Sequence, residues 1–595
     1  MPVIDPQRIS DGFISLERGI DAGNAPSMLP RNQASFAVNA TMRGGFVKTR
    51  PGFKGISLTY KATAPGAAED IEALFETGRF QGAYNYNYGR NSFLVAAISG
   101  YIFKIDVTTK EVSDITPRRQ PTDADTTTDS TLPDPNSSLI NVFYFQQAEQ
   151  YLVIQDGRNP AIIFDGTTCR RSNPQESEVP VGTAMAYGGG RLWVANGREF
   201  VVGDIVGGPT EVIQFTENTY IAEGGAFAVP LDTGDIKAMK FMNQPDSSLG
   251  QGELLVHTSE AVFAVNVPTD RDSWKNLNYP IVRIVAINYG SVSDRSCALV
   301  NSDMYYRAPD GIRSYISSRR EWQDYGQIPV SRELGEYITA DTETSITDTV
   351  SSVLFDNRLL TTVTAQNSSQ GTYFKGLVVL DFDLVGGTGA KAPPAWEGLW
   401  TGLDFLQITL AEITGEPRCF VFHRDETCGI QLWELTRDGK KDVSGDNSYS
   451  ISCYVESPSY TFENPFELKK LEYGEMWIDQ LEGQVNFDIK YKPNQYPAWV
   501  DWNTFVECAK TDNCDPAVGE CLTLQNYKPQ YRSRVRLPQP ADDCETSVSA
   551  PMRNGYELSV RIGWTGHARI KGFRLHAYPI IEEPYGGCGS TSDCV

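Results

Sequence analysis

Between about residues 70 and 435, apolar and polar positions alternate in short runs. Each run is followed by a Gly, Asn or Asp turn and by a second run that often ends at aspartate. Residues 93–98, the pair Ser99-Gly100 and residues 101–106 form one such unit. Residues 151–154, Asp156-Gly157 and 161–165 form another, and 191–195, Asn196-Gly197 and 199–202 a third. The scheme returns at 253–256 with 261–265, 304–306 with 311–315, 358–360 through 377–381, and 419–422 with 430–433. A period of two places alternate side chains on opposite faces of a strand, and Asn-Gly or Asp-Gly between two such runs marks a hairpin.

The hairpins recur at intervals of about 40–60 residues, the spacing of four-stranded blades that bury their faces against neighbours around an axis. The pattern predicts a β-propeller of six or seven blades over residues 56–440. A β-sandwich array would space its strands more closely and without a repeat. Residues 67–79 suit a short helix or a strand equally. Residues 121–138, with Asp123, Asp125 and Asp129 among serines, threonines and prolines, read as a polar loop. That loop lacks the glycine and distal glutamate of a calcium-binding loop, so a solvated tip is expected.

The texture changes near residues 440–450. Beyond it, the runs at 452–457, 471–478, 485–491, 556–564 and 568–577 are longer and lose the blade rhythm. They predict an antiparallel β-sandwich over 441–595 with a loop-rich insertion at 508–544. Residues 1–55 are expected to form an N-terminal arm and first strand. The fold expected is therefore all-β: arm, propeller and C-terminal sandwich.

Composition and charge narrow the function classes. The 595 residues are 40% hydrophobic and 11% aromatic, enough for a large core. Fifty-two basic against 75 acidic side chains give a formal charge of −23, the wrong sign for a nonspecific grip on nucleic acid. No run is long and apolar enough to span a bilayer, and Met1–Arg8 lacks the features of a signal peptide, so neither membrane insertion nor the secretory route is expected. Residues 1–54 are locally basic, which suits docking onto an acidic neighbour.

Of the 11 cysteines, Cys508, Cys514, Cys521, Cys544, Cys588 and Cys594 crowd the C-terminus, without the short Cys-x2-Cys spacing of a zinc site. Buried thiols or loop-fastening disulfides are expected. No phosphate-binding loop, dinucleotide fingerprint, zinc-protease helix or serine-hydrolase elbow is present. His257, His423, His567 and His576 lie far apart and read as structural. No catalytic residue, cofactor or metal is assigned, and an enzyme is not expected.

Two stretches resemble a known family. Gly19-Ile20-Asp21, Leu29-Pro30-Arg31-Asn32-Gln33-Ala34-Ser35, Asn39, Arg43-Gly44-Gly45 and Lys48-Thr49-Arg50-Pro51-Gly52-Phe53 resemble the opening of tail nozzle or tail hub proteins of short-tailed bacteriophages, some called packaged-DNA stabilisation proteins. Asn159-Pro160, Phe164-Asp165-Gly166-Thr167, Gly190 through Ala195 and Val202-Gly203-Asp204 are similar to their first blades. The likeness covers roughly the first 205 residues, and the cysteine-rich insertion is not a family feature.

The resemblance implies a structural virion subunit, a homohexameric ring in the tail below the portal. Its partners would be an adaptor protein and tail fibres, and genomic DNA would pass through the ring without specific binding. On this reading Arg31, Arg43 and Arg50 would tether the N-terminal arm to a neighbouring subunit or the adaptor. The alternative is a host-surface glycan-binding or glycan-cleaving propeller, with Trp193, Trp396, Trp400 and Trp433 stacking on sugars.

Overall fold

The computed structural model describes residues 8–61, 71–89, 91–118, 133–208, 210–217, 226–243, 252–285, 287–320, 328–339, 349–365, 374–383, 394–494, 496–508, 532–540 and 553–580. The alternating runs are strands and the turn residues between them reverse the chain. Ser99-Gly100, Gly189-Gly190, Asp356-Asn357 and Thr414-Gly415 all have positive φ at both positions, the conformation whose twist matches that of the flanking strands.

Among the described residues, six small, mainly antiparallel sheets stand around one axis as propeller blades, in the strand numbers 5, 4, 4, 4, 3 and 6. Their innermost strands are Phe80–Tyr88, Tyr144–Ala148, Met185–Gly188, Ile236–Phe241, Ala298–Val300 and Phe405–Ile413. Between the fifth and sixth of these sheets stands the edge of a 14-stranded sheet, from Ser352–Phe355 through Ala395–Trp400. It touches both neighbours, and Phe405–Ile413 touches Phe80–Tyr88, so the circle closes.

Apolar clusters fill the spaces between blades. Phe93, Phe145 and Phe164 pack between the first two blades. Trp193, Phe200, Phe227 and Trp274 pack between the third and fourth, where the two tryptophan rings stack at 5.8 Å. The 67–79 segment resolves as a helix over Ile71–Thr77, whose Ile71 and Phe75 enter the core shared by the first and last blades. A strand there would place these two residues, four apart, over a longer span than one helical turn.

The described part of the N-terminal segment pairs with strands from several parts of the chain. Ile9–Phe13 and Val47–Thr49 pair with the C-terminal strand Leu558–Pro579. Phe36–Val38 lies between Ala395–Trp400 and Ser452–Glu456. Phe53–Ile56 adds an antiparallel strand to the last blade beside Gly429–Leu435, so residues from opposite ends of the propeller complete one sheet. The described part of 1–55 is thus woven into three places, because each of its short strands satisfies an edge that would otherwise present unpaired N–H and C=O groups.

The residues just after 441 join the last blade. Asp442–Ser444 and Asn447–Tyr449 form a hairpin beside Phe53–Ile56 in the last blade, and the C-terminal strands start at Ser452. The frame of the C-terminal strands is the antiparallel pair Lys469–Pro493 and Leu558–Pro579. Both belong to the same 14-stranded sheet as the propeller edge. The pairing shifts between Asp479 and Asn486, where Gln480 and Gly483 have positive φ, opposite Gly566. There the sheet bends over on itself, so that Trp502 of one half reaches Phe573 of the other at 6.4 Å.

Gly398 fixes the join between propeller and C-terminal layer. Its φ is +106°, and a Cβ there would lie 2.3 Å from the carbonyl oxygen of Ala37. Gly398→Ala is expected to lower stability by at least about 2 kcal/mol, through strain and displacement of Phe36–Val38. Gly415→Ala, at an open turn with nothing within 4 Å, should cost about 1 kcal/mol. Urea unfolding of the two variants checks the contrast.

Candidate functional site

The three N-terminal arginines occupy different environments. Arg50 is buried and donates to both oxygens of Asp442 at 2.9 and 2.8 Å, to Asn39 Oδ1 at 2.9 Å and to the Thr401 carbonyl at 2.8 Å. Its guanidinium also lies 4.5 Å from the centre of the Phe53 ring. The planar fork of donors suits this several-sided clamp, which a lysine could not reproduce.

Arg43 belongs to a largely buried charge network at the propeller edge. It donates to Asp381 at 2.8 and 2.9 Å and to Asp356 at 2.9 Å. Arg358 donates to Glu397 at 3.0 Å, to Asp356 at 2.6 Å and to Thr41 Oγ1 at 3.1 Å. Glu397 in turn accepts from Thr41 Oγ1 and the Met42 amide. Burial works against the charge on Arg43, but Asp381 and the other carboxylates outweigh it and raise its pKa. Burial pushes the carboxyl of Glu397 up, with Arg358 pulling the other way.

Arg31 is the most exposed of the three. Its Nε lies 2.6 Å from Asp11 Oδ1, and its side chain is 52% exposed. It lines a cleft of about 170 Å³ together with Ile14, Glu475, Trp477 and Arg574. Ile14 is 70% and Trp477 39% exposed. The two meet at Gly572, whose Cβ would lie 3.5 Å from each. Here two exposed apolar side chains stand beside an arginine and a glutamate.

The predicted tether residues therefore do not act as one group: Arg43 and Arg50 pin the N-terminal segment to its own chain, and Arg31 borders an exposed cleft. The sequence does not announce the partners of Arg43 and Arg50, because Asp356, Asp381 and Asp442 lie more than 300 residues away. The one available signal was the habit of strands such as 377–381 of ending at aspartate. Trp193, Trp396, Trp400 and Trp433 are all buried and offer no face to a sugar.

The histidines stand in strands with separate neighbours. His257 packs edge-on to Tyr306 at 4.8 Å, His423 Nδ1 accepts from the Asp404 amide, and His576 stacks on Tyr473 at 4.3 Å. Among the described residues no group of three or more His, Cys, Asp or Glu is placed to hold a metal. Cys169, Cys297, Cys419, Cys428 and Cys453 are thiols. Cys514, Cys521, Cys544, Cys588 and Cys594, like Asp123, Asp125 and Asp129, lie outside the described residues.

No protein-family model and no curated protein matches the chain. Several solved structures are similar to it. A chain of the mitotic checkpoint complex matches with a TM-score of 0.33 and 10% identity, over 64% of this chain and 98% of that one. BamB from Moraxella catarrhalis matches with a TM-score of 0.31 and 8% identity, over 68% and 98%. The computationally designed Ika8 protein matches with a TM-score of 0.30 and 9% identity, over 60% and 83%.

Proposed function

We propose that this propeller protein is a wall subunit of a phage tail nozzle or hub, a ring in the virion tail. It would assemble as a homohexamer and contact an adaptor and tail fibres. The observation that carries this reading is the continuity of the molecule. One 14-stranded sheet runs from the propeller edge, through an N-terminal strand, into the C-terminal layer. Relative motion of the two parts would break several strand pairings and the Arg43–Arg358 network at once, and such rigidity suits a wall that bears load.

The propeller axis supports the same view of the DNA path. Arg295 crosses it, donating to the Gln81 carbonyl at 2.5 Å and to Gln407 Oε1 at 3.2 Å. DNA would therefore pass between subunits rather than through a propeller. A formal charge of −23 per subunit would repel phosphate from such a wall where the excess faces inward.

The cleft at Arg31, Ile14 and Trp477 is the surface through which a neighbour or adaptor would be held. Purified protein, alone and with its adaptor, is expected to give rings with a central hole in negative-stain images. The double variant Ile14→Asp, Trp477→Glu should lose the rings while keeping the wild-type unfolding midpoint within about 1 kcal/mol of stability. Single dispersed particles from the wild type with adaptor present would overturn the ring reading. Unchanged rings from the double variant would remove this cleft from it.

A further inference from the structure

The axis of the propeller holds a cavity of about 190 Å³. Innermost strands of the first, second, fourth and last blades line it, together with the large sheet's edge and the turn Asp294–Ser296. Among the described residues, three cationic side chains, Lys237, Lys240 and Arg295, and one carboxylate, Asp294, border it. In a chain with 75 acidic and 52 basic groups, this local excess of positive charge runs against the whole.

Among the described residues, no carboxylate lies within ion-pairing distance of Arg295. Its Nη atoms donate to the Gln81 and Phe143 carbonyls and to Gln407 Oε1. Gly82 makes room for it: a Cβ there would lie 2.9 Å from Arg295 Nη2. Burial lowers the pKa of Arg295 to about 10, which leaves it charged at neutral pH. Lys240 is the partner of Asp294, at 3.1 Å from Oδ2. Two buried polar atoms of the lining residues have no hydrogen-bond partner among the described residues, the donor Arg295 Nε and the acceptor Asp294 Oδ1. Leaving such atoms unpaired is costly, so both call for a ligand or water.

We propose that the axial cavity binds a small oxyanion that still carries a proton, of the hydrogen phosphate class. Its charged oxygens would accept from Arg295 Nε and from the lysines, and its hydroxyl would donate to Asp294 Oδ1. That pairing of orphaned donor with orphaned acceptor distinguishes hydrogen phosphate from sulfate. Sulfate has the same size and charge at neutral pH but no proton to give, so one of its oxygens would face the carboxylate. The charged hydrogen bond and the avoided repulsion together should separate the two ions by at least about tenfold in affinity.

The test is calorimetric titration of the full chain at pH 7.5 and constant ionic strength with inorganic phosphate, sulfate and glycerol phosphate. Saturable binding of phosphate, with sulfate at least about tenfold weaker, is expected. Glycerol phosphate, a monoester whose phosphate group has mostly lost its proton at pH 7.5, should bind as weakly as sulfate, which assigns the free ion as the natural ligand; binding equal to that of phosphate would overturn the role of the shared proton. Asp294→Asn, which replaces the acceptor by an amide able to donate, should bring sulfate to within about threefold of phosphate. No saturable phosphate binding, or equal affinity for phosphate and sulfate in the wild type, would overturn the proposal. The wild-type comparison decides it even where the variant does not fold. An unchanged preference in a folded Asp294→Asn would overturn the role of Asp294.

Discussion

Arg358→Ala is expected to destabilise the protein by about 3–5 kcal/mol, the typical cost of stripping one partner from buried charges. Glu397 and Asp381 are both 0% exposed at the side chain, and Arg358 lies 3.0 Å from the first and 4.0 Å from the second. Arg43 would remain on Asp381, so the larger share of the loss belongs to Glu397. The companion change Glu397→Gln removes that charge, and the double variant should recover about 2 kcal/mol or more over the sum of the singles.

The pH dependence of the Arg358→Ala loss has a definite sign. Burial already raises the pKa of Glu397, and removal of Arg358 raises it further. A folded-state carboxyl pKa above the unfolded value means that stability is lost as pH rises and regained as pH falls. The gap between wild type and Arg358→Ala should therefore narrow in acid. Urea midpoints at several pH values measure it, and a gap that widens in acid would count against a buried, uncompensated Glu397.

The second large effect concerns His257. The ring is fully buried on Leu254–Thr258, against Tyr306, and neither nitrogen has a hydrogen-bond partner among the described residues. Burial, with a smaller contribution from Lys240, lowers its pKa from 6.5 to about 3. The unfolded chain therefore binds a proton that the folded one refuses. Stability is complete above pH 6.5 and is lost as pH falls toward 3, by about 3 kcal/mol at pH 4.5 for this one group.

His257→Leu keeps the volume, gives up no hydrogen bond and removes the titration. It should leave stability at pH 7 unchanged or slightly raised. Between pH 7 and pH 4.5 it should lose about 3 kcal/mol less than the wild type. Equal losses in the two proteins would mean that the imidazole gains a partner or water on protonation.

How far the sequence could be read depended on how local the cause was. The strands at 93–98, 101–106, 151–155 and 191–196 follow from alternation and from turn residues between them, and both signals lie within about ten residues. The helix Ile71–Thr77 was ambiguous because its apolar residues Ile71, Leu74 and Phe75 fit a helical face over too short a span to exclude a strand. The cluster of basic residues around Arg31, Arg43 and Arg50 suggests tethers there. An ion pair such as Arg50–Asp442, however, joins residues 392 positions apart, and nothing near Arg50 announces it.

Hydrophobic patterning on its own determined that this chain is built of strands and that most of them are grouped in blades. Each blade needs only its own alternating residues and turns, and its apolar faces oblige it to find neighbours. Tertiary structure alone decided how the ends are used. Open strand edges at Ser452–Glu456, Gly429–Leu435 and Leu558–Pro579 accept whichever segment can pair with them, and the N-terminal strands meet that need. Backbone hydrogen bonding carries little side-chain signature, so which strand completes which edge is written in the packed molecule and not in the order of its residues.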